Sequence, residues 1–186
     1  MNNDLAGILA ELRADHRNMA VMLDLLEQES NELYDGHDAN FELVHDVMRY
    51  MTVYPDAVHH PKEDLVYAEL RAVRPDLAEG LDRIPAEHRE LADLGMALRH
   101  DVESILSGTA LRRNVVVANA LRYVKRLREH IRWEESDLFI RLDELVRDGH
   151  SLTMGSDVRK LIDPVFGPKV EEHFGRLFDS IRQSLE

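Results

Sequence analysis

Two His-x-x-x-Glu units carry the residue types with the clearest chemistry in this sequence. The first unit runs from His59 to Glu63, and the second runs from His130 to Glu134. Residues four apart in an α-helix return to nearly the same face, so each unit can direct one imidazole and one carboxylate toward a common point. Imidazole and carboxylate ligands without a thiolate suit a pair of iron or manganese ions, and they suit neither an iron–sulfur cluster nor a structural zinc site. The two units therefore predict a site for a metal pair.

Two more histidines extend this ligand set. His16 and His88 each occupy a position where an apolar residue would continue the stripe of a predicted helix. A single histidine in such a stripe is usually a satisfied core residue, but four of them together with two glutamates form a collective pattern. Burying ionised Glu63 and Glu134 without compensation would be prohibitive, and a pair of dications supplies the compensation. The alternative is a buried network of Glu–His ion pairs without metal.

The remaining histidines are weighed separately. His60 is rotated by about 100° from His59 along the helix, so it either swings in as an additional ligand or faces an adjacent helix. Ala92 stands one turn after His88, so that helix offers one ligand only. We expect solvated or otherwise unrelated positions for the other histidines, which are His37, His45, His100, His150 and His173.

Two tyrosines lie on the same helix faces as the metal candidates. Tyr67 follows Glu63 by four residues, and Tyr123 precedes His130 by seven. A tyrosine in an apolar stripe is usually a core residue, but a buried hydroxyl beside a metal pair could donate a hydrogen bond, coordinate a metal or take part in redox change. The sequence leaves the role of both tyrosines open.

Apolar residues recur at threes and fours along most of the chain, which predicts helices throughout. Pro55 and Pro61 each remove a backbone donor, so the second segment is one kinked helix or two helices end to end, and its continuous stripe favours a kink. Four long helices with short connections predict an all-α, up-down-up-down four-helix bundle at 1–148, and 149–186 form a linker and a short C-terminal helix packed on the bundle. The predicted helices are Asp4 to Leu33, about Asp38 to Arg74, Pro85 to Gly108, about Leu111 to Arg147, and Lys169 to Ser184.

Composition narrows the class of protein. The chain has 186 residues, no cysteine and a formal net charge of −13, which fits one domain without disulfides and favours a cytoplasmic location. The N-terminal stretch has no basic start typical of a signal peptide, and no apolar run approaches the roughly 18 residues that span a membrane. Binding to nucleic acid is disfavoured because it relies on basic side chains that neutralise phosphates.

At these residues the chain resembles the hemerythrin-like HHE cation-binding proteins of the small bacterial stand-alone type. The resemblance covers roughly residues 5–146, and the segment Asp163-Pro164-Val165-Phe166-Gly167 is similar to the C-terminal extension of small bacterial members. It rests, in chain order, on His16, His59-His60-Pro61-Lys62-Glu63-Asp64, Glu87-His88 and His130-Ile131-Arg132-Trp133-Glu134-Glu135.

This resemblance implies a bundle around a non-heme diiron centre with an oxo or hydroxo bridge, in which manganese could replace iron. The oxygen-carrying hemerythrins of invertebrates have a second histidine where Ala92 stands here. One fewer imidazole implies an open position, which suits chemistry with peroxide, NO or superoxide better than reversible O2 carriage. The implied ligands are Glu63 and Glu134 as bridges, His16 and His59 with His60 at one iron, and His88 and His130 at the other.

Two functional classes stay open at this point. A binding or sensing protein would take up O2 or NO, or register iron itself, in redox sensing or stress defence. A diiron enzyme would act on peroxide as a catalase or peroxidase does, or reduce NO. A metal-free helical interaction module is a third alternative, whereas a ferritin-like site is disfavoured because only Glu42 and His45 have its Glu-x-x-His spacing. The expected partners are O2, NO or H2O2, without nucleic acid or membrane, and the chain could form a homo-oligomer.

Overall fold

In a computed structural model that describes residues 5–151 and 163–184, the chain folds almost wholly into helices. No β-strand occurs in these ranges, and no helix within them is long and apolar enough to cross a membrane. The α-helices are α1 (Leu5–Asp35), α2 (Phe41–Met51), α3 (His60–Val73), α4 (Ile84–Leu106), α5 (Arg113–Trp133), α6 (Phe139–Arg147) and α7 (Gly175–Ser184). Short π-helices cover Pro55–His59 and Glu134–Leu138, and 3-10 turns cover Pro75–Leu77, Leu81–Arg83 and Glu172–Phe174.

These helices assemble into four rods of alternating direction. The first rod is α1, and the second is α2 continued by a π-helix and α3. The third rod is α4, and the fourth is α5 continued by the other π-helix and α6. The first rod packs against the second and fourth, and the third packs against the same two. The predicted all-α, up-down-up-down bundle is thus confirmed, together with its short C-terminal helix.

Both interrupted rods change from α- to π-helical geometry at the level of the predicted metal ligands. The first π-helix ends at His59, and the second begins at Glu134. Such segments insert an extra residue into a helical turn and occur frequently at functional sites. The kink predicted at Pro55 takes this form, because Pro55 opens the π-helix and has no backbone N–H to donate. The fourth predicted helix is present as the fourth rod, but the sequence pattern did not indicate the π-helical geometry at Glu134–Leu138.

The two largest apolar clusters of the described residues lie one on each side of the predicted metal ligands. Along α1, Leu12 belongs to one cluster and Met19 to the other, with His16 between them. Along the fourth rod, Leu127 and Leu138 are divided between the clusters in the same way. The predicted metal ligands therefore lie in a single layer across the bundle, and an apolar cluster packs on each side of this layer.

The C-terminal segment packs against the larger apolar cluster. Leu177 and Ile181 of α7 are buried there, and the fully buried Tyr50 donates a hydrogen bond of 2.9 Å to Asp163. The predicted helix from residue 169 begins only at Gly175. The backbone of Glu171 is extended there and donates a hydrogen bond to the carbonyl of Pro164, which ties this segment to the preceding turn.

Gly95 lies where α4 approaches its neighbours closely. A Cβ atom at this position would lie 3.2 Å from the Thr52 methyl group and 3.2 Å from the Tyr123 ring. We therefore expect Gly95→Val to lower the free energy of unfolding by about 1–3 kcal/mol through overpacking. Urea denaturation measures the change, and Ala97→Val on the exposed face of α4 is the matched control for helix propensity. Equal stability of the two variants would contradict the close contact.

Candidate metal centre

A layer of four histidines and two glutamates crosses the bundle between the two apolar clusters. Glu63 and Glu134 are fully buried in it, with exposed fractions of 0%. All four rods contribute to this layer, which we call the polar layer: His16 from α1, His59 and Glu63 from the second rod, His88 from α4, and His130 and Glu134 from the fourth rod.

The imidazoles of the polar layer form two pairs. The Nε2 atoms of His16 and His59, the first pair, lie 3.2 Å apart. The Nε2 atoms of His88 and His130, the second pair, also lie 3.2 Å apart. Two nitrogens at this distance can share only one proton, and they can equally serve as neighbouring ligands of one ion. Each pair thus offers a converging set of nitrogen donors.

Each glutamate of the polar layer lies between the two pairs. Glu63 places Oε1 3.1 Å from Nε2 of His59 and Oε2 3.6 Å from Nε2 of His88. Glu134 places Oε2 3.4 Å from Nε2 of His16 and Oε1 3.3 Å from Nε2 of His130. Both carboxylates therefore present one oxygen to each pair, which is the orientation that a bridge between two ions requires.

Two carboxylate oxygens in this layer lack a hydrogen-bond donor. Among the described residues, Oε2 of Glu63 and Oε2 of Glu134 are buried side-chain atoms without a partner. Burying an unsatisfied, charged oxygen is unfavourable unless a cation compensates it. Ligand atoms of the first pair and both glutamates lie within 4.8 Å of one another, and the same holds for the second pair with Glu134. The residues fit a pair of metal ions.

In the polar layer, neighbouring charges oppose the effect of burial on the pKa of Glu63 and of His59. Burial by itself raises the pKa of Glu63, but the imidazoles of His59 and His16 lower this pKa to about 2. Burial lowers the pKa of His59, whereas the carboxylates of Glu63 and Asp15 raise it to about 10. The Glu63 carboxylate therefore stays ionised although it is fully buried. Its negative charge favours a cation at this place.

His60 lies at the edge of the polar layer and faces α4. Its ring stacks on that of His88, with centroids 3.7 Å apart and 15° between the planes. Its Nδ1 lies 3.0 Å from a carboxylate oxygen of Asp56, and His60, Glu63 and His88 form a third group of ligand atoms within 4.8 Å. Burial and the charge of His88 lower the pKa of His60 to about 2. A neutral His60 is therefore available to a metal at the second pair, whereas the sequence analysis placed it with the first.

Tyr67 contacts both glutamates of the polar layer. Its hydroxyl lies 3.1 Å from Oε1 of Glu63 and 3.0 Å from Oε1 of Glu134, so it can donate its single proton to either carboxylate. Burial and these two carboxylates raise its pKa well above the ordinary value, which keeps the hydroxyl protonated. Tyr123 is also buried, and its ring lines a cavity next to the layer. Of the two tyrosines, Tyr67 therefore has the direct contact with the candidate ligands.

A cavity of about 70 Å³ lies beside the polar layer and is lined by the histidines of both pairs. Ala92 and Met96 of α4 form part of its wall, together with the imidazoles of His60 and His88. This volume holds a few water-sized molecules. Met19 and Leu127 also line the cavity, whereas Leu12 and Leu138 pack in the apolar cluster on the opposite side of the layer.

Three carboxylates outside the expected ligand set hold histidines of the polar layer. The sequence analysis gave them no role, although each immediately adjoins a predicted ligand in the chain. A neighbouring residue is rotated by about 100° around the helix, so it faces the next rod instead of the bundle centre. The contacts are Glu135 Oε1 to His16 Nδ1 at 2.8 Å, Asp15 Oδ2 to His59 Nδ1 at 3.3 Å, and Glu87 Oε2 to His130 Nδ1 at 2.9 Å.

The other histidines lie away from the polar layer. His37 and His100 are exposed, and His150 is half-buried in the turn after α6. His45 is half-buried and lies 3.7 Å from a carboxylate oxygen of Glu103. The side chain of His173 lies outside the described residues.

Comparison with protein families gives a match over most of the chain. The family model of the hemerythrin HHE cation-binding domain matches residues 7–142, which extend from α1 into α6. This range contains the whole polar layer and His60. A search of curated proteins and a search of solved structures each gave no match.

Proposed function

Because the chain belongs to the hemerythrin HHE cation-binding domain family, we propose that its polar layer holds a pair of iron ions, with manganese as the alternative metal. The observation that carries this proposal is the orientation of Glu63 and Glu134, each of which presents one oxygen to each imidazole pair. The donor set supports it, because imidazole and carboxylate are the ligands that iron and manganese take in such sites. The family resemblance predicted from the motif is confirmed.

Each imidazole pair would hold one ion. His16 and His59 would bind the first, and His88 and His130 would bind the second with His60 at its edge, while both glutamates serve the two positions. A bound iron pair supplies electrons and open coordination positions for a small molecule. Tyr67 donates its single hydrogen bond to one of the two glutamates, from the side of the apolar cluster that contains Leu138.

We propose that this centre binds or reacts with O2, NO or peroxide, in oxygen, redox or iron sensing or in stress defence. The cavity of about 70 Å³ supports this size class, because it has no room for a bulky organic substrate. Its wall includes Leu91, Met96 and Leu127, and apolar surface of this kind admits small neutral molecules. The cavity is lined by imidazoles of both pairs, so a small molecule in it would lie close to either metal position.

An enzyme with catalase-, peroxidase- or NO-reductase-like activity is the second candidate. The small side chain of Ala92 favours it, because the cavity extends to the position where a further imidazole one turn after His88 would stand. Mixing the reduced, iron-loaded protein with O2, NO or peroxide in a stopped-flow spectrometer tests both functions. We expect rapid oxidation by O2 and no long-lived oxygenated form. A reversible O2 adduct that persists for hours would place the protein among oxygen carriers instead.

Narrowing the cavity provides a direct test of the access route. We expect Ala92→Leu to slow oxidation by peroxide or O2 by about tenfold, which corresponds to a barrier increase of about 1.4 kcal/mol, while the iron content stays unchanged. Ala97→Leu adds the same side chain to the exposed face of α4 and should react at the original rate. Identical rates for the two variants would show that small molecules reach the centre by another path.

A further inference from the structure

The two imidazole pairs of the polar layer differ in how their outer ring nitrogens are held. In the first pair, Nδ1 of His16 contacts Glu135 and Nδ1 of His59 contacts Asp15. In the second pair, Nδ1 of His130 contacts Glu87. Within the described ranges, no carboxylate bonds to Nδ1 of His88. Both histidines of the first pair therefore have a carboxylate at Nδ1, whereas only one histidine of the second pair has one.

Asp15 is the most firmly held of these carboxylates. Only 6% of its surface is exposed, and it accepts hydrogen bonds from the hydroxyl of Tyr54 at 2.8 Å and from Nζ of Lys62 at 3.3 Å. These two donors leave it little freedom to turn away from His59. Its orientation, and through it that of the His59 ring, is determined by contacts with the second rod.

Glu135 and Glu87 are each paired with an arginine. Nε of Arg13 lies 3.6 Å from Glu135, and Nε of Arg83 lies 3.3 Å from Glu87. The guanidinium of Arg83 also stacks on the ring of Trp133, at 3.5 Å from its centroid. Each of these carboxylates is thus held by an arginine in addition to the histidine that it contacts, which limits its movement.

His88 has a different environment from the other three histidines. It is half-buried, whereas the other three are buried, and its ring stacks on that of His60. Stacking restrains the plane of a ring but does not select which nitrogen carries the proton. A carboxylate at Nδ1 does both, and it also makes Nε2 a stronger metal ligand.

We propose that Asp15, Glu135 and Glu87 are positioning residues for the metal pair, and that their unequal distribution makes the first pair the tighter metal position. This inference rests on the proposed function. The ion at His16 and His59 binds first and leaves last. The ion at His88 and His130 exchanges more readily, because only one of its two histidines has a carboxylate at Nδ1.

Anaerobic titration of metal-free protein with Fe²⁺ or Mn²⁺, in competition with a chromophoric chelator, tests the proposal. The original protein should bind in two separate steps. We expect Asp15→Asn to weaken the tighter step by about ten- to a hundredfold, and Glu87→Gln to weaken only the looser one. Glu90→Gln is the matched control, because Glu90 lies one turn after Glu87 and pairs with Arg126 instead of a histidine. It should leave both steps unchanged.

The midpoint potential of the iron pair separates positioning from a purely structural role. Replacing a carboxylate by an amide makes the imidazole a weaker donor to ferric iron, so the potential of Asp15→Asn protein should become more positive. A merely structural role would alter only the melting temperature of the metal-free form. If Asp15→Asn does not fold, Glu135→Gln acts on the same metal position and carries the test.

Three outcomes would overturn the inference. The first is two steps of equal affinity in the original protein, and the second is that the Asp15 and Glu87 variants weaken the same step. The third is metal binding and potential unchanged in all variants. A protein that takes up no metal at all would refute the proposed function itself, and the two failures are therefore distinguishable.

Discussion

Replacing Glu63 or Glu134 by alanine is expected to remove metal from both positions of the centre. Each carboxylate presents one oxygen to each imidazole pair, so its loss removes a ligand from two ions at once. Metal analysis of the purified protein should give about two iron ions per chain for the original protein and well below one for either variant. His60→Ala should retain more metal, because His60 lies at the edge of one position only.

Two control variants test whether this loss is specific. Glu129→Ala removes a half-buried carboxylate of the fourth rod, which pairs with Arg126, and should keep the original metal content. His150→Ala removes a histidine from a turn outside the polar layer and should also keep it. If His150→Ala lost metal as readily as Glu134→Ala, the assignment of the site to the polar layer would be wrong.

Removing the metal is expected to lower the melting temperature by roughly 10 °C. Binding to the folded state alone contributes about 4 kcal/mol at a thousandfold excess over Kd, and each kcal/mol shifts the melting temperature by about 2–4 °C in a chain of this size. The metal-free form also leaves unsatisfied oxygens of Glu63 and Glu134 buried in the bundle. Thermal melts before and after chelation measure the shift.

The metal-free protein should still fold, because an apolar cluster lies on each side of the polar layer. Leu12 and Leu142 are fully buried in the cluster on one side of it, and Met22 and Leu98 are fully buried in the cluster on the other side. Chelator added to Glu134→Ala protein, which holds little metal, should change its melting temperature much less. An unchanged melting temperature of the original protein after complete metal removal would mean that the metal does not lie in the core.

The helices themselves follow from local patterns in the sequence. Apolar residues at threes and fours define the rods, and Gly36 and Gly108 lie just after α1 and α4 with positive φ angles of 95° and 88°. The π-helix at Glu134–Leu138 was missed, because one inserted residue leaves the apolar pattern on both sides intact. The start of α7 was misplaced for a related reason, since the backbone N–H of Glu171 donates a hydrogen bond to the carbonyl of Pro164, outside the helix.

The sequence by itself determined which residues could meet on one helix face. The spacing of His59 and Glu63, and of His130 and Glu134, is a property of helical geometry within one segment and needs no knowledge of the neighbouring rods. The structure brings these residues into the polar layer with His16 and His88. Family resemblance suggested this arrangement, because periodicity within a helix carries no information on how two helices are rotated against each other.

Only the tertiary structure decided what surrounds the polar layer. Asp15, Glu87 and Glu135 reach histidines on other rods, and the rotation and axial register of those rods determine these contacts. The same is true of the stacking of His60 on His88 and of the cavity beside Ala92. Residues distant in the chain meet there through packing of the apolar clusters, and packing depends on the shapes of all the side chains together.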